Sequence, residues 1–172
     1  MSSPTPLSSP FEAISPEVAS DSLNNALTHV FDTMLSEAVK MVPESEKCVI
    51  EKGGPRVVAT VGFAGDITGL IHLHMSDHFA NETAARMLSM PIAEIEADVS
   101  LSNDAVGEIA NMVAGQFKNR LVDLGFPCKL TLPTIVRGRD FSIQQLRTTN
   151  RMVRFFDCRN ERLAADVIAR MG

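Results

Sequence analysis

The stretch GEIANMVAG, residues 107 to 115, holds a carboxylate and a carboxamide three residues apart, Glu108 and Asn111. On a helix, residues at this spacing are surface neighbours. A carboxamide donates and accepts hydrogen bonds without bringing a charge, and a carboxylate offers a partner to a basic group. At about 100° per residue, Val106, Ile109, Ala110, Val113, Phe117, Leu121 and Leu124 fall on one side and must meet a core. Glu108, Asn111 and Gly115 fall on the other. A glycine inside an exposed helix face costs roughly 1 kcal/mol against alanine, and its missing side chain lets another surface approach. Spacing alone also fits two solvated helix positions, since exposed Glu and Asn are common. Gly107 and Gly115 tilt the reading towards a docking face.

Other chemistry is sparse. His72 and His74 share one face of a predicted strand and His78 follows, an arrangement able to bind zinc or nickel. The alternative is a polar sheet face, because the two histidines alternate with Ile71, Leu73 and Met75. Met34 and Met112 read as fillers of core or interface. There is no Ser-His-Asp set and no C-x-x-C pair, so no cofactor or metal of the chain's own is expected. Cys48, Cys128 and Cys158 are few and widely spaced, which fits buried thiols in a reducing cytoplasm rather than a disulfide framework.

The elements that must position the pair follow from periodicity and punctuation. Residues 1–19 are rich in Ser and Pro and read as a flexible tail, leaving residues 20–172 as one domain. A first helix is expected over Ser22–Met41, capped by Asp21 or Ser20 and closed by Pro43. Val57–Phe63 and Leu70–Met75 read as a strand pair around the turn Ala64–Asp66. A second helix runs from Asp77 towards Pro91, capped by Ser76 or Asp77. The long helix covers about Leu101–Leu124, with Ser102 or Asn103 as caps and Gly125 as its stop. Strands are expected near Lys129–Thr134, Phe141–Gln145 and Met152–Asp157. The segment LAADVIARM fits helix or strand by pattern alone; because it is short and follows the turn CRNER, it is read as a final strand paired with the last of these. This order predicts an α/β fold of the α+β type, a sandwich with a largely antiparallel sheet and its helices on one face.

Bulk properties narrow the class. The chain has 172 residues, 45% hydrophobic, with 16 basic and 21 acidic side chains and a net charge of -5. No basic cluster is available to neutralise phosphates, so nucleic acid is not an expected partner. No apolar run reaches the roughly 18 residues of a membrane helix, and the N-terminus lacks the pattern of a signal peptide.

With these elements in place, NDAVGEIANMVAGQFKNRL resembles the motif of the CheX/CheC/FliY chemotaxis phosphatases, most closely the CheX branch: an acidic residue, then E-x-x-N, then a small-residue step. VFDTML (30–35) resembles that family's first helix, GDITGLIHLHM its strand pair, and LPTIVRG (132–138) its Pro-bearing strand after the long helix. The similarity runs from about Leu27 to Met171. It implies a CheC-like sandwich with two long helices on one face of the sheet, a homodimer formed through the sheet, and a phosphorylated response-regulator receiver domain, CheY-like, as partner. It assigns the catalytic pair to Glu108 and Asn111 and further docking contacts to Asp104, Gly107 and Gly115. The implied activity is hydrolysis of an aspartyl phosphate. Asn111 orients the attacking water, Glu108 docks to a basic residue of the partner, and the receiver supplies Mg2+. CheC and FliY carry the motif twice. Here Asp21 and Asn24 have D-x-x-N spacing, but capping accounts better for Asp21. The competing reading is a non-catalytic dimeric module that binds the receiver or acts as a scaffold. The late strands, Met152–Met171, are expected to include the sheet edge that pairs with a second copy, because they are long and apolar.

Overall fold

The computed structural model describes residues 10–43, 54–139, 141–143 and 150–172. In chain order the elements are α1 (Pro10–Ile14), α2 (Pro16–Leu35), β1 (Lys40–Val42), β2 (Arg56–Gly65), β3 (Ile67–Ser76), α3 (Asp77–Leu88), α4 (Ile92–Ala97), α5 (Val99–Asp123), β4 (Cys128–Leu130), β5 (Thr134–Gly138), β6 (Asn150–Cys158) and β7 (Glu161–Met171). The strands form one antiparallel sheet in the order β1-β6-β7-β3-β2-β4, with β5 also paired to β2. The helices lie on one face: α2 and α5 pack on each other, α2 touches β6, α3 touches β3 and α5 lies over β2. This is the expected helix-on-sheet architecture.

Alternation explains the core. Val57, Ala59, Val61 and Phe63 of β2, Ile71, Leu73 and Met75 of β3, and Leu163, Ala165 and Val167 of β7 face the helices. They are buried in one cluster with Leu23, Leu27, Val30 and Phe31 of α2 and the apolar stripe of α5. The β6–β7 hairpin closes through Arg159 and Asn160, both at positive φ, as a two-residue turn requires. The Arg159 guanidinium compensates for its unusual backbone: it pairs with Glu37 at 2.8 Å, donates to Thr83 Oγ1 at 2.7 Å and lies 4.5 Å from the Phe79 ring centre.

Several boundaries differ from those expected. The tail reading is corrected over residues 10–19, where Pro10–Ile14 and the residues from Pro16 onward are helical on either side of Ser15. Ser15 caps α2 by accepting from the Val18 N–H at 3.2 Å, Pro16 occupies its first turn, and Ile14 and Ala19 are buried. Proline early in a helix replaces a donor that has no partner there, so composition misled. Residues 1–9 lie outside the described residues. The first helix ends at Leu35, where Ser36 turns left-handed, and Lys40–Val42 pairs with Phe155–Asp157 instead of continuing the helix. Val39 is buried either way, so its apolar spacing did not mark the break. Asp98, not Ser102 or Asn103, caps the long helix, and α4 precedes it. The strand expected at Lys129–Thr134 is split into β4 and β5 by Thr131–Pro133. Phe141–Ile143 is not strand, and the rest of that expected strand lies outside the described residues. β7 is interior to the sheet, so it is no edge. On the outer side of β6, β1 covers only Phe155–Asp157.

The sheet face away from the helices carries a buried polar row. His72 lies opposite Thr60 on β2 and Asp166 on β7. Asp166, 1% exposed, accepts two hydrogen bonds from Arg151, at 2.9 and 2.8 Å, and its carboxylate is 3.7 Å from His74 Nε2. Burial pushes the Asp166 carboxyl up, but the donors on His74 and Arg151 outweigh it and hold the pKa below the ordinary carboxylate value. His72 Nδ1 is 2.7 Å from Thr60 Oγ1, and its Nε2 is buried without a partner among the described residues. Burial lowers the His72 pKa and the nearby Asp166 charge only partly restores it.

A pH dependence follows. The His72 pKa is depressed on folding, so its contribution is complete above the unfolded value of about 6.5 and is lost as pH falls towards the folded one. The unfolded chain takes up this proton first, and stability drops by at most about 1.4 kcal/mol per pH unit for one proton. Asp166 adds a second loss only below about pH 4. Urea midpoints measured from pH 7.5 to 5 should fall in the wild type, and His72→Asn should flatten the slope below 6.5.

Candidate functional site

Helix α5 is 25 residues long and begins at Asp98, whose carboxylate accepts from the Ser100 N–H at 3.1 Å. Its buried side is Ser102, Ala105, Val106, Ile109, Ala110, Val113, Ala114, Phe117 and Leu121. Every apolar stripe position expected from periodicity is therefore buried except Leu124, which is half-buried just past the helix. The phase of that stripe leaves Asp104 and Glu108 exposed and Asn111 and Gly115 half-buried. Among the described residues, neither Glu108 nor Asn111 makes a hydrogen bond or an ion pair. Among the described residues the two side chains are positioned by the helix backbone alone, with their polar atoms unpaired.

The two glycines of the motif have opposite surroundings. A Cβ on Gly115 would meet nothing within 4 Å, so this position is an open step in the helix surface. A Cβ on Gly107 would lie 3.6 Å from Pro133 Cγ and 3.9 Å from Ile135 Cδ1. Gly107 is buried, and the β4–β5 connection packs over it with Pro133 and Ile135 at ordinary contact distance. The expected docking role of Gly107 is corrected accordingly: it faces the protein, not a partner. Asp104, Glu108, Asn111 and Gly115 remain together on the accessible side.

Arg137 of β5 fixes this helix from the sheet edge, and its part was invisible in the sequence. Its guanidinium pairs with Asp77 and donates to Asn81 Oδ1 at 3.3 Å on α3. It also donates to Ser102 Oγ at 2.8 Å and Asn103 Oδ1 at 3.1 Å on α5. Ser102 is fully buried, so this donor satisfies a hydroxyl that has no access to water. The residues expected to cap α5 instead anchor it laterally.

The competing histidines do not converge. His72 and His74 rings are 6.0 Å apart on the sheet face away from the helices, whereas His78 is on α3, exposed, 3.5 Å from Glu82. Among the described residues no three His, Cys, Asp or Glu side chains are grouped to hold a metal. Asp21 is not a cap; it sits within α2, exposed, on a shallow groove of about 550 Å³ that also touches Asn25, His29 and Asn119. Burial raises the thiol pKa of both Cys128, half-buried, and Cys158, buried, which keeps them protonated and unreactive. Cys48 lies outside the described residues.

Comparison with known proteins bears on this helix. The family model described as "Chemotaxis phosphatase CheX" matches residues 57–157, more than half of the chain and all of α5. The CheY-P phosphatase CheX of Thermotoga maritima is 35% identical over 91 residues, which is 51% of this chain and 56% of that protein. The chain thus matches little more than half the length of that relative. Among solved structures, the chemotaxis protein CheX of Desulfovibrio desulfuricans aligns with a TM-score of 0.73 at 22% identity, over 90% of this chain and 99% of the other. The CheX–CheY–BeF3–Mg2+ complex of Borrelia burgdorferi aligns with a TM-score of 0.69 at 21% identity, over 88% and 97%. These structural likenesses establish the fold.

The contrast between the glycines is directly testable. Gly115→Leu should leave the melting temperature within a few degrees of wild type, because a Cβ there meets nothing within 4 Å and leucine improves helix propensity. Gly107→Leu should destabilise by about 1–3 kcal/mol through overpacking against Pro133 and Ile135. Paired urea melts read both.

Proposed function

The chain belongs to the CheX family of chemotaxis phosphatases, and on that footing we propose that it hydrolyses the aspartyl phosphate of a response-regulator receiver domain. The observation that carries the reading is the Glu108–Asn111 pair: two polar side chains one turn apart, unpaired within the described chain, beside the open step at Gly115. The Thermotoga relative is named a CheY-P phosphatase and the Borrelia relative forms a complex with CheY, which supports a CheY-like receiver as substrate and partner here.

Phosphoryl transfer from an aspartyl phosphate is mainly positioning and charge stabilisation. The receiver supplies Mg2+ and a basic residue for the phosphoryl oxygens, so this chain needs no nucleophile of its own. Asn111 holds a water in line with the leaving carboxylate; its amide accepts one hydrogen bond and donates another without adding charge near phosphorus. Glu108 pairs with a basic side chain of the receiver and fixes α5 over the phosphorylated site, while Asp104 extends the acidic ridge and Gly115 admits the partner surface. A hundredfold acceleration requires about 2.7 kcal/mol, within what positioning supplies. The reaction takes place in the cytoplasm, where sparse free thiols persist. No helix of the described residues is long and apolar enough to cross a membrane.

The roles should separate on mutation. Asn111→Ala should lower kcat at least tenfold with KM little changed, and Glu108→Ala should raise KM and weaken the salt dependence of binding. Both should melt close to wild type, since Glu108 is exposed, Asn111 is half-buried with no side-chain partner among the described residues, and surface substitutions shift stability by about 0.5 kcal/mol or less. Single-turnover dephosphorylation across receiver concentrations measures this. Undiminished hydrolysis by Asn111→Ala would leave the non-catalytic receiver-binding module as the better account.

Homodimerisation through the sheet is part of the same proposal, with its route revised. Asn150–Arg154 of β6 has no strand neighbour on its outer side among the described residues, and open strand edges favour pairing. Light scattering at micromolar concentration should give twice the chain mass; the mass of one chain would remove the dimer.

A further inference from the structure

The connection between β4 and β5 carries an exposed leucine, Leu132, next to the proline that packs on α5 at Gly107. Leu132 is 87% exposed, twice the exposure of most other large apolar side chains on the surface. It is not on a loose loop. On one side, Thr131 donates its N–H to Gly62 O at 2.8 Å, and its Oγ1 accepts from the Gly62 N–H at 2.9 Å. Gly62 permits this approach, since a Cβ there would lie only 3.0 Å from the Thr131 side chain. On the other side, Pro133 rests on Gly107, and Thr134 starts β5 in register with Thr60.

The place of this leucine matters. Gly107 immediately precedes Glu108 and lies one turn before Asn111 on the same flank of α5. The loop that packs on Gly107 therefore borders the polar pair, and its leucine stands clear of the protein at that border. A solvated carboxylate and an amide orient a partner but give little affinity in water. Interfaces draw affinity from an apolar side chain that fills a pocket, surrounded by a polar rim. Asp104, Glu108 and Asn111 are exposed or half-buried polar residues of the helix on which this loop packs through Pro133.

We propose that Leu132 is the apolar anchor of the receiver-docking surface, inserting into an apolar depression of the receiver next to its phosphorylated aspartate. This deepens the phosphatase reading above and rests on it. The occupant is the receiver domain, because the anchor adjoins the residues that face the aspartyl phosphate. Leu132 is a positioning residue: it brings Asn111 to the phosphoryl group and does not touch the reacting atoms.

The test uses the full chain and a panel of CheY-type receivers, each with beryllofluoride and Mg2+ for binding and phosphorylated for hydrolysis. Leu132→Ser should weaken binding and raise KM about tenfold, equivalent to about 1.4 kcal/mol, with kcat within about twofold and an unchanged melt. Leu132→Met should restore binding to within about threefold. If Leu132→Ser binds as wild type does while wild type hydrolyses, the anchor is overturned and the phosphatase reading stands. If wild type neither binds nor dephosphorylates any receiver of the panel, the phosphatase reading falls and the anchor with it. A Leu132→Ser variant that melts far below wild type, or that turns a dimer into a monomer, assigns the leucine to folding or to a second copy and overturns the proposal.

Discussion

The guanidinium of Arg137 is the contact through which the sheet edge locates the long helix. Apolar packing of α5 on β2 is strong but tolerant, since a stripe of Val, Ile, Ala and Phe can slide or rotate by a fraction of a turn at modest cost. Hydrogen bonds are not tolerant in that way. Arg137 reaches two residues of α3 and two of α5 from a single planar group, and the fork geometry of arginine leaves little freedom once several donors are used. A shift of α5 along its axis would strand the buried Ser102 hydroxyl, and an unpaired buried polar group costs on the order of 1–3 kcal/mol. The orientation of the exposed face, and so of Glu108 and Asn111, follows from that lock.

The same edge of the sheet explains the loop next to it. β2 is shared by two short strands, β4 at one end and β5 at the other, and the chain must step between them at Thr131–Pro133. Gly62 clears space for the Thr131 side chain on one side of that step, and on the other Pro133 rests over Gly107 at ordinary contact distance. What emerges is a stiff prominence beside the helix. Rigidity there has a physical use, because a surface that is already ordered loses less conformational entropy when a partner binds.

The side chains of Glu108 and Asn111 have no partner among the described residues, and a Cβ at Gly115 would meet nothing within 4 Å. The unusual electrostatics of the molecule lie on the other face of the sheet, at His72 and Asp166, where they bear on stability. That division is consistent with a helix whose work is completed by groups on another protein. Exposed side chains without internal partners are free to adopt the geometry a second active site imposes.

Much of the fold is legible along the chain. The phase of α5 and the β2–β3 hairpin follow from local periodicity and punctuation; the same signals narrow the cap of α3 to Ser76 or Asp77, and the last strand rests on its length and the turn before it rather than on its pattern. These patterns are local because a helix turn or a tight hairpin is settled within a few residues. The pair Glu108 and Asn111 was readable for the same reason: once the buried stripe is phased, the opposite side is known. Distant contacts decided the rest. Gly107 and Gly115 are the same residue in the same helix, and only the position of Pro133 makes one a packing surface and the other an open step. Lys40–Val42 is strand because β6 offers it an edge, although its apolar spacing continues that of α2. Leu132, inside an apolar run, has the composition of a core residue and is exposed because the sheet ends there. Arg137 carries no local pattern at all. Sequence determined the longest elements and which way each one faces; tertiary structure decided the short ones, such as Lys40–Val42, and what each face meets, because that depends on residues far apart in the chain that come together only when the sheet is assembled.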